Sequence, residues 1–222
     1  MKLLELFCGT KSIGKEFEKV GFEVTSLDFD AQFNATYTAD ILTIPDDFFS
    51  GFDAVWASPP CNAFTVALIG RNWYHDHTPK NDLARQGLAI LAKTVAIIQH
   101  INPTMWWMEN PRGKMRRMPI VQNFKRNTVT YCQYGDTRMK PTDIWTNTNW
   151  SPRPMCGRGE TCHEAAPRGS KTGGTQAIKG SRDRAIIPAE LCRELAEYAE
   201  LRLREPQVAI DSRLYEQQNL FT

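Results

Sequence analysis

A cysteine at position 61 stands where a catalytic nucleophile would be placed. It follows the apolar run Phe52–Ala57 and the sequence Ser58-Pro59-Pro60, and consecutive prolines cannot continue a central strand. The sequence therefore predicts a rigid loop that carries a thiol directly after a strand. A thiolate in that position can attack a bound substrate, and nearby cations or a helix N-terminus lower the pKa that controls its formation. Because most cysteines are buried small hydrophobic residues, this interpretation depends on the loop.

A carboxylate follows the next strand-like run. Met105–Met108 leads directly into Glu109-Asn110-Pro111. Since the carboxyl ends of parallel strands meet at one edge of a sheet, we expect Glu109 to face the same crevice as Cys61. A carboxyl group beside an apolar wall has a raised pKa and can donate a proton to a ring nitrogen. The alternative is a surface glutamate that caps a turn, which the presence of Cys61 makes the poorer interpretation.

Two cations stand at alternate positions after another strand-like run. Arg138 and Lys140 follow Gln133-Tyr134-Gly135. Such side chains bind a phosphate or a base carbonyl, or they are simply solvated.

The N-terminal segment has the pattern of a nucleotide-binding turn. Leu6–Gly14 predicts a strand that passes through a tight turn into a helix, where backbone N–H groups can approach a ligand. It has two glycines rather than the three of the dinucleotide fingerprint, so an ordinary turn is equally compatible with this segment alone. Asp28, at the end of the next strand, is placed to accept hydrogen bonds from a ribose diol, and Asp40 is a further contact of that type.

These residues require strands that end at a common edge. Short apolar runs alternate with amphipathic stretches, which predicts an α/β fold with a doubly wound, mostly parallel sheet. The predicted strands are Lys2–Cys8, Glu23–Phe29, Phe52–Ala57, Met105–Met108, Thr128–Tyr134 and Asp143–Thr146. The predicted helices are Ile13–Val20, Leu83–Ile101 and Pro188–Arg204, the last with Leu191, Leu195, Tyr198 and Leu201 on one face.

Composition sets broad limits on the class of protein. A chain of 222 residues with 41% hydrophobic residues can bury one core and a small appendage. The net charge of +2 means that a DNA-facing surface must come from local clustering of basic residues. Without a membrane-spanning run or a signal-peptide pattern, we expect a cytoplasmic protein whose six cysteines are reduced.

Taken in order, the motifs resemble the DNA (cytosine-5) methyltransferase family in a compact, phage-type form. The motifs are ELFCGTKSIGKEFEKVGFEV, TADI, SPPCNAFT, MENP and QYGDTRMKPT, and the resemblance covers roughly residues 3–147 and a return helix near 184–201. Amino-directed methyltransferases share Ser-Pro-Pro but place an aromatic residue where this chain has Cys61. That residue favours the cytosine-5 class.

The resemblance implies a cofactor, a substrate and a set of roles. The fold would be that of S-adenosylmethionine-dependent methyltransferases, acting on double-stranded DNA with the target cytosine flipped out of the helix. Cys61 would attack C6 of cytosine, Glu109 would protonate or hydrogen-bond N3, and Arg138 or Lys140 would hold O2. The loop from Cys61 to about Asn81 would close over the base with Arg71, Trp73 and Tyr74. The residues implied to line the S-adenosylmethionine pocket are Phe7, Gly9, Asp28, Asp40, Ile41 and Pro60.

The chain departs from the family in its recognition region. The resemblance divides it into a catalytic domain (1–149), a short basic insert (150–183), a return helix (184–204) and a peripheral tail (205–222), whereas family members normally carry a sizeable recognition domain. Sequence preference would then be short or loose, or supplied by a homodimer or a partner subunit. The usual glutamine with two alternate arginines, and the Gly-Asn pair of the return segment, are also missing. An RNA or free-nucleotide cytosine methyltransferase and a catalytically silent binding module are the alternatives.

The insert has two further interpretations. Its basic residues favour contact with DNA phosphates, although a solvated loop has the same composition; they are Arg153, Arg158, Arg168, Lys171, Lys179, Arg182 and Arg184. Cys156, Cys162 and His163 could ligate zinc, with Cys132 or Cys192 as a distant fourth ligand. Their spacing is not the usual Cys-x₂₋₄-Cys, so the sequence alone assigns no metal.

Overall fold

The protein forms one seven-stranded sheet with helices on both faces. The computed structural model describes residues 1–157, 159–164, 178 and 180–205. The strands are β1 (Lys2–Leu6), β2 (Glu23–Asp28), β3 (Tyr37–Thr38), β4 (Ala54–Ala57), β5 (Met105–Pro111), β6 (Lys125–Thr130) and β7 (Pro141–Thr146). The helices are α1 (Ser12–Lys19), α2 (Ile69–Asn72), α3 (Asp82–Ile101), α4 (Ser181–Ala185) and α5 (Ala189–Arg204).

The sheet confirms the predicted doubly wound architecture. Its strand order is β3-β2-β1-β4-β5-β7-β6. The first five strands in that order are parallel, whereas β7 runs antiparallel to both β5 and β6. The order reverses between β1 and β4, so the carboxyl ends of these strands open onto the crevice in which such folds bind ligands.

The two faces of the sheet bury alternate residues of the same strands. Leu4 and Val55 pack with α3 on one face, whereas Leu3 and Trp56 pack with α1 and α5 on the other. This alternation follows from the twofold periodicity of a strand. No helix within the described part of the chain is both long and apolar enough to cross a bilayer.

Two sequence predictions need correction. The predicted strand Thr128–Tyr134 is β6 only as far as Thr130, because Tyr131–Tyr134 forms a 3₁₀ turn that ends at Gly135 with a φ of 81°. Leu201 was expected on the buried face of the last helix, but it is 58% exposed. Leu191 and Leu195 are fully buried on that face as expected, and Ala196 and Ala199 complete it and let α5 approach α1 closely.

A buried carboxyl group on β1 sets the position of α1. Glu5 is only 2% exposed, and the backbone amides of Ile13 and Gly14 are near enough to lower its pKa. A Cβ atom at Gly14 would lie 2.6 Å from Glu5 Oε2, so only glycine permits this close approach. Burial raises the pKa of Glu5 from 4.5 to about 7, although these two amides oppose the increase.

The raised pKa of Glu5 predicts a pH-dependent stability difference. A carboxyl group whose pKa is higher in the folded state stabilises the fold fully below pH 4.5, and this contribution is lost as the pH rises through 7. Glu5→Gln does not ionise, so its free energy of unfolding relative to the wild type should increase between pH 5 and pH 8.5 by about 3 kcal/mol. Urea denaturation at the two pH values measures the change, and a difference that is independent of pH would contradict the assignment.

Candidate active site

The loop that carries Cys61 is fixed by hydrogen bonds to the neighbouring strands. Ser58 N donates to Leu6 O over 3.2 Å as the chain leaves β4. Asn110 Nδ2, at the end of β5, donates to Pro59 O over 2.8 Å, and Asn110 is 1% exposed. The half-buried Cys61 is therefore held beside the carboxyl end of β5.

The segment after Cys61 packs against the core. The ring of Trp73 stacks on Phe64 with a centroid separation of 5.4 Å, and Trp73 Nε1 donates to Ala63 O over 2.7 Å. Trp73 is 2% exposed, so the expectation that it closes over a base is wrong: its indole is already part of the core. Arg71 and Tyr74 remain exposed on the outer side of the same segment.

Glu109 is buried next to the nucleophile loop. It is 6% exposed, and Tyr131 Oη donates to Glu109 Oε1 over 3.2 Å. Burial raises the pKa of Glu109, while the charge of Lys140 and the hydrogen bond from Tyr131 oppose the increase. The position favours the neutral acid, which can donate a proton.

Lys140 is the cation that shares this pocket. Its Nζ lies 4.6 Å from the centroid of the Tyr131 ring and donates to Arg184 O over 3.0 Å. Burial lowers the pKa of Lys140, and Glu109 raises it again. The pKa of Cys61 is raised by burial and by Glu109, and lowered by Lys140. The thiol, the carboxyl and the ammonium group thus control one another's protonation.

Arg138 has a different environment from Lys140. Its Nε donates to the two carboxylate oxygens of Asp136 over 2.8 and 2.9 Å. Its two terminal nitrogens donate to Arg184 O and Ile186 O, each over 3.3 Å. Arg138 is 6% exposed, so its guanidinium group holds the return segment in place.

A cleft beside Cys61 collects most of the predicted cofactor residues. It encloses about 820 Å³ when the space at its open mouth is included. Five of the six predicted residues line it, namely Phe7, Asp28, Asp40, Ile41 and Pro60. Gly9 contributes indirectly, because its N–H donates to Asp28 Oδ2 over 2.9 Å, while Asp30 N donates to the other oxygen over 3.0 Å. Pro60 joins the cleft to the adjacent nucleophile.

Several residues that line this cleft were not predicted from the sequence. Phe29, which follows Asp28 at the end of β2, is 72% exposed at this cleft. The sequence did contain a signal for Phe29, because it is an aromatic residue that directly follows an aspartate at the end of a strand. The remaining missed residues are Leu27, Ala39, Asn62, Leu83, Gln86, Gly87 and Ile90. Those on α3 gave no signal, because they have the spacing of an ordinary amphipathic helix.

Comparison with known proteins identifies the family. Residues 1–124 match the C-5 cytosine-specific DNA methylase family. A probable DNA (cytosine-5)-methyltransferase of Frog virus 3 (isolate Goorha) is 32% identical over 174 residues, which are 73% of this chain and 78% of the viral protein. The chain belongs to the C-5 cytosine-specific DNA methylase family.

One solved methyltransferase structure has the same fold as this methylase chain. S. pombe Dnmt2 methyltransferase superposes with a TM-score of 0.51 at 14% identity, covering 69% of this chain and 52% of that one. A putative DNA modification methyltransferase from an E. coli prophage gives a TM-score of 0.45 at 14% identity, covering 66% and 46%. The chain thus spans about half the length of these solved structures.

The basic insert of this family member is only partly described. Arg153 forms ion pairs with Glu190 and Glu194 over 2.7 and 3.2 Å, which directs its charge toward α5 rather than toward a phosphate. The guanidinium carbon of Arg182 lies 5.6 Å from the centroid of the Phe33 ring. Four other basic residues lie outside the described residues, namely Arg158, Arg168, Lys171 and Lys179.

The coupled pKa values predict opposite effects of two substitutions on the reactivity of Cys61. Above the pH at which Glu109 ionises, Glu109→Gln removes a negative charge that raises the thiol pKa, so alkylation of Cys61 by iodoacetamide should become faster there. Lys140→Met removes a charge that lowers this pKa, so alkylation should become slower. Each change of one in pKa alters the thiolate fraction about tenfold. Peptide mass spectrometry isolates Cys61 from the other cysteines, with Lys80→Met as an exposed control. Changes in the same direction for both variants would contradict the proposed coupling.

Proposed function

We propose that this chain transfers a methyl group from S-adenosylmethionine to C5 of a flipped cytosine in double-stranded DNA, through a covalent bond between Cys61 Sγ and C6. The observation that carries the proposal is the convergence of a half-buried thiol, a buried carboxyl group and a half-buried ammonium group beside an open cleft. Family membership supports the cytosine-5 reaction.

The proposed roles follow from the electronic demand of cytosine. C5 is a poor nucleophile until a thiolate adds to C6, because the addition turns the C5–C6 bond into part of an enamine. Neutral Glu109 donates its proton or a hydrogen bond to N3. This stabilises the negative charge that develops on the ring when the thiolate adds. Once C5 carries the methyl group, a base removes the C5 proton, the electron pair of that bond restores the C5–C6 double bond, and the Cys61 thiolate leaves. Any proton on N3 returns to Glu109.

Lys140 is the better candidate for the contact to the cytosine O2. The two carboxylate oxygens of Asp136 and two backbone carbonyls already accept from Arg138, whereas Lys140 is electrostatically coupled to both Cys61 and Glu109. A cation at O2 stabilises the same developing charge as a proton at N3. Lys140 also lowers the pKa of Cys61, so it assists thiolate formation.

The cleft has the chemistry to hold S-adenosylmethionine. Each oxygen of Asp28 accepts one backbone N–H and keeps a lone pair for a ribose hydroxyl. The exposed ring of Phe29 offers a stacking surface for adenine, and the carboxylate of Asp40, which also lines the cleft, can accept from its amino group. When bound, the cofactor supplies an electrophilic methyl group, and Pro60 places the cleft next to Cys61.

A substrate base must leave the DNA helix to reach this pocket. Extrusion costs a few kcal/mol, and contacts to the flanking phosphates offset that cost. We propose that the exposed side of residues 62–81 meets the DNA, with Arg71, Tyr74 and Lys80 at its surface.

A methyl-transfer assay tests the function. The purified chain should transfer tritiated methyl groups from S-adenosylmethionine to mixed-sequence duplex DNA, and bisulfite sequencing should place them on cytosines. Cys61→Ser should lose activity by at least three orders of magnitude because the alcohol is a much weaker nucleophile near neutral pH. Cys192→Ser is the matched control, since its buried thiol lies in α5 and donates to Ile187 O.

The same assay separates the alternative substrates. Unlabelled duplex DNA should compete with labelled duplex far better than RNA or free cytidine does. Efficient methylation of RNA or of a free nucleotide would reject DNA as the substrate. Cofactor binding without transfer to any of these would instead favour the silent module.

A further inference from the structure

Four metal-binding side chains outside the catalytic pocket lie together. They are Cys132, Cys156, Cys162 and His163, and their ligand atoms all lie within 4.8 Å of one another. Cys132 belongs to the 3₁₀ turn after β6, whereas the other three come from the insert. Because Cys132 is far in the sequence from the other three residues, rules based on ligand spacing do not detect the set. The fold brings Cys132 to them as the fourth ligand.

The spacing of the ligand atoms fits a tetrahedral ion. Cys156 Sγ lies 3.4 Å from Cys162 Sγ and 3.5 Å from His163 Nδ1, and Cys162 Sγ lies 3.6 Å from His163 Nδ1. Zn–S bonds of about 2.3 Å and a Zn–N bond of about 2.0 Å place tetrahedral ligand atoms roughly 3.5–3.8 Å apart. Three thiolates with one imidazole are a common donor set of structural zinc sites.

The surrounding hydrogen bonds hold the ligands in this arrangement. Cys156 N donates to Thr130 Oγ1 over 2.8 Å, and Glu164 N donates to Thr137 O over 2.9 Å. These two bonds anchor one end of the ligand-bearing segment to the end of β6 and the other end to the loop before β7. Gln133 Nε2 lies 3.5 Å from Cys162 Sγ as a donor, the type of outer contact that orients a metal-bound thiolate.

We propose that Cys132, Cys156, Cys162 and His163 bind one structural Zn²⁺ ion that fastens the insert to the turn Tyr131–Tyr134. All four coordination positions are filled by protein, which is typical of structural rather than catalytic zinc. The site stands beside the catalytic pocket, because Tyr131 precedes Cys132 and donates to Glu109. The ion thereby fixes a segment that is too short to form a core of its own.

Metal content tests the proposal without any activity measurement. The untagged wild-type chain, purified in reducing buffer and assayed by inductively coupled plasma mass spectrometry, should contain one zinc per chain. Cys162→Ser and His163→Ala should lose it, and their exposed or half-buried positions limit the damage to the fold. Cys192→Ser and His100→Ala are the matched controls outside the cluster, and both should retain one zinc.

Cobalt provides an independent readout on the wild-type chain. Titration with Co²⁺ after zinc removal should give the intense visible bands of tetrahedral thiolate coordination, and one equivalent of Zn²⁺ should abolish them. Wild-type protein without stoichiometric zinc and without these bands would overturn the proposal. Equal zinc in Cys162→Ser, or a Cys156–Cys162 disulfide in the wild type under reducing conditions, would also overturn it.

Discussion

One buried hydrogen bond joins the two strands that carry the reacting groups. Asn110 Nδ2 donates to Pro59 O over 2.8 Å, and it links the loop after β4 to the end of β5, whose parallel register pairs Ala57 with Met108. Breaking a buried bond of this kind costs about 1–3 kcal/mol. Its larger effect here is geometric, because it sets the position of Cys61 relative to Glu109. The cleft proposed to hold the cofactor depends on the same bond through Pro60, which lines the cleft and precedes Cys61.

Removal of water from this pocket affects the two acids of the proposed reaction differently. Burial raises the pKa of Glu109, which favours the protonated acid that the mechanism requires. Burial also raises the pKa of Cys61, which opposes the thiolate that the mechanism requires. Lys140 counteracts this second effect, since its charge lowers the thiol pKa. A pocket that stabilises a neutral acid thus also needs a nearby cation.

The sequence predicted those features that depend on strand ends. Ser58-Pro59-Pro60 and Glu109-Asn110-Pro111 mark where β4 and β5 finish, so the proximity of Cys61 and Glu109 followed from a parallel sheet. The different environments of Arg138 and Lys140 were not predictable, because alternate spacing does not reveal that Asp136 pairs with the first. The four-ligand cluster of Cys132, Cys156, Cys162 and His163 also could not be assigned from sequence spacing. Cys132 meets the insert only because β6 ends at Thr130 and a 3₁₀ turn follows, where the sequence had predicted a continuing strand.

Covalent trapping is the most direct test of the proposed bond between Cys61 and C6 of cytosine. A duplex that contains 5-fluorocytosine in a methylated sequence cannot release the C5 substituent as a proton, so the adduct with the enzyme persists. We expect an S-adenosylmethionine-dependent protein–DNA adduct whose cross-linked peptide carries the nucleotide on Cys61, and no adduct with Cys61→Ser. Methylation of ordinary cytosine by the wild type without an adduct on the fluorinated duplex, or an adduct on another residue, would contradict it.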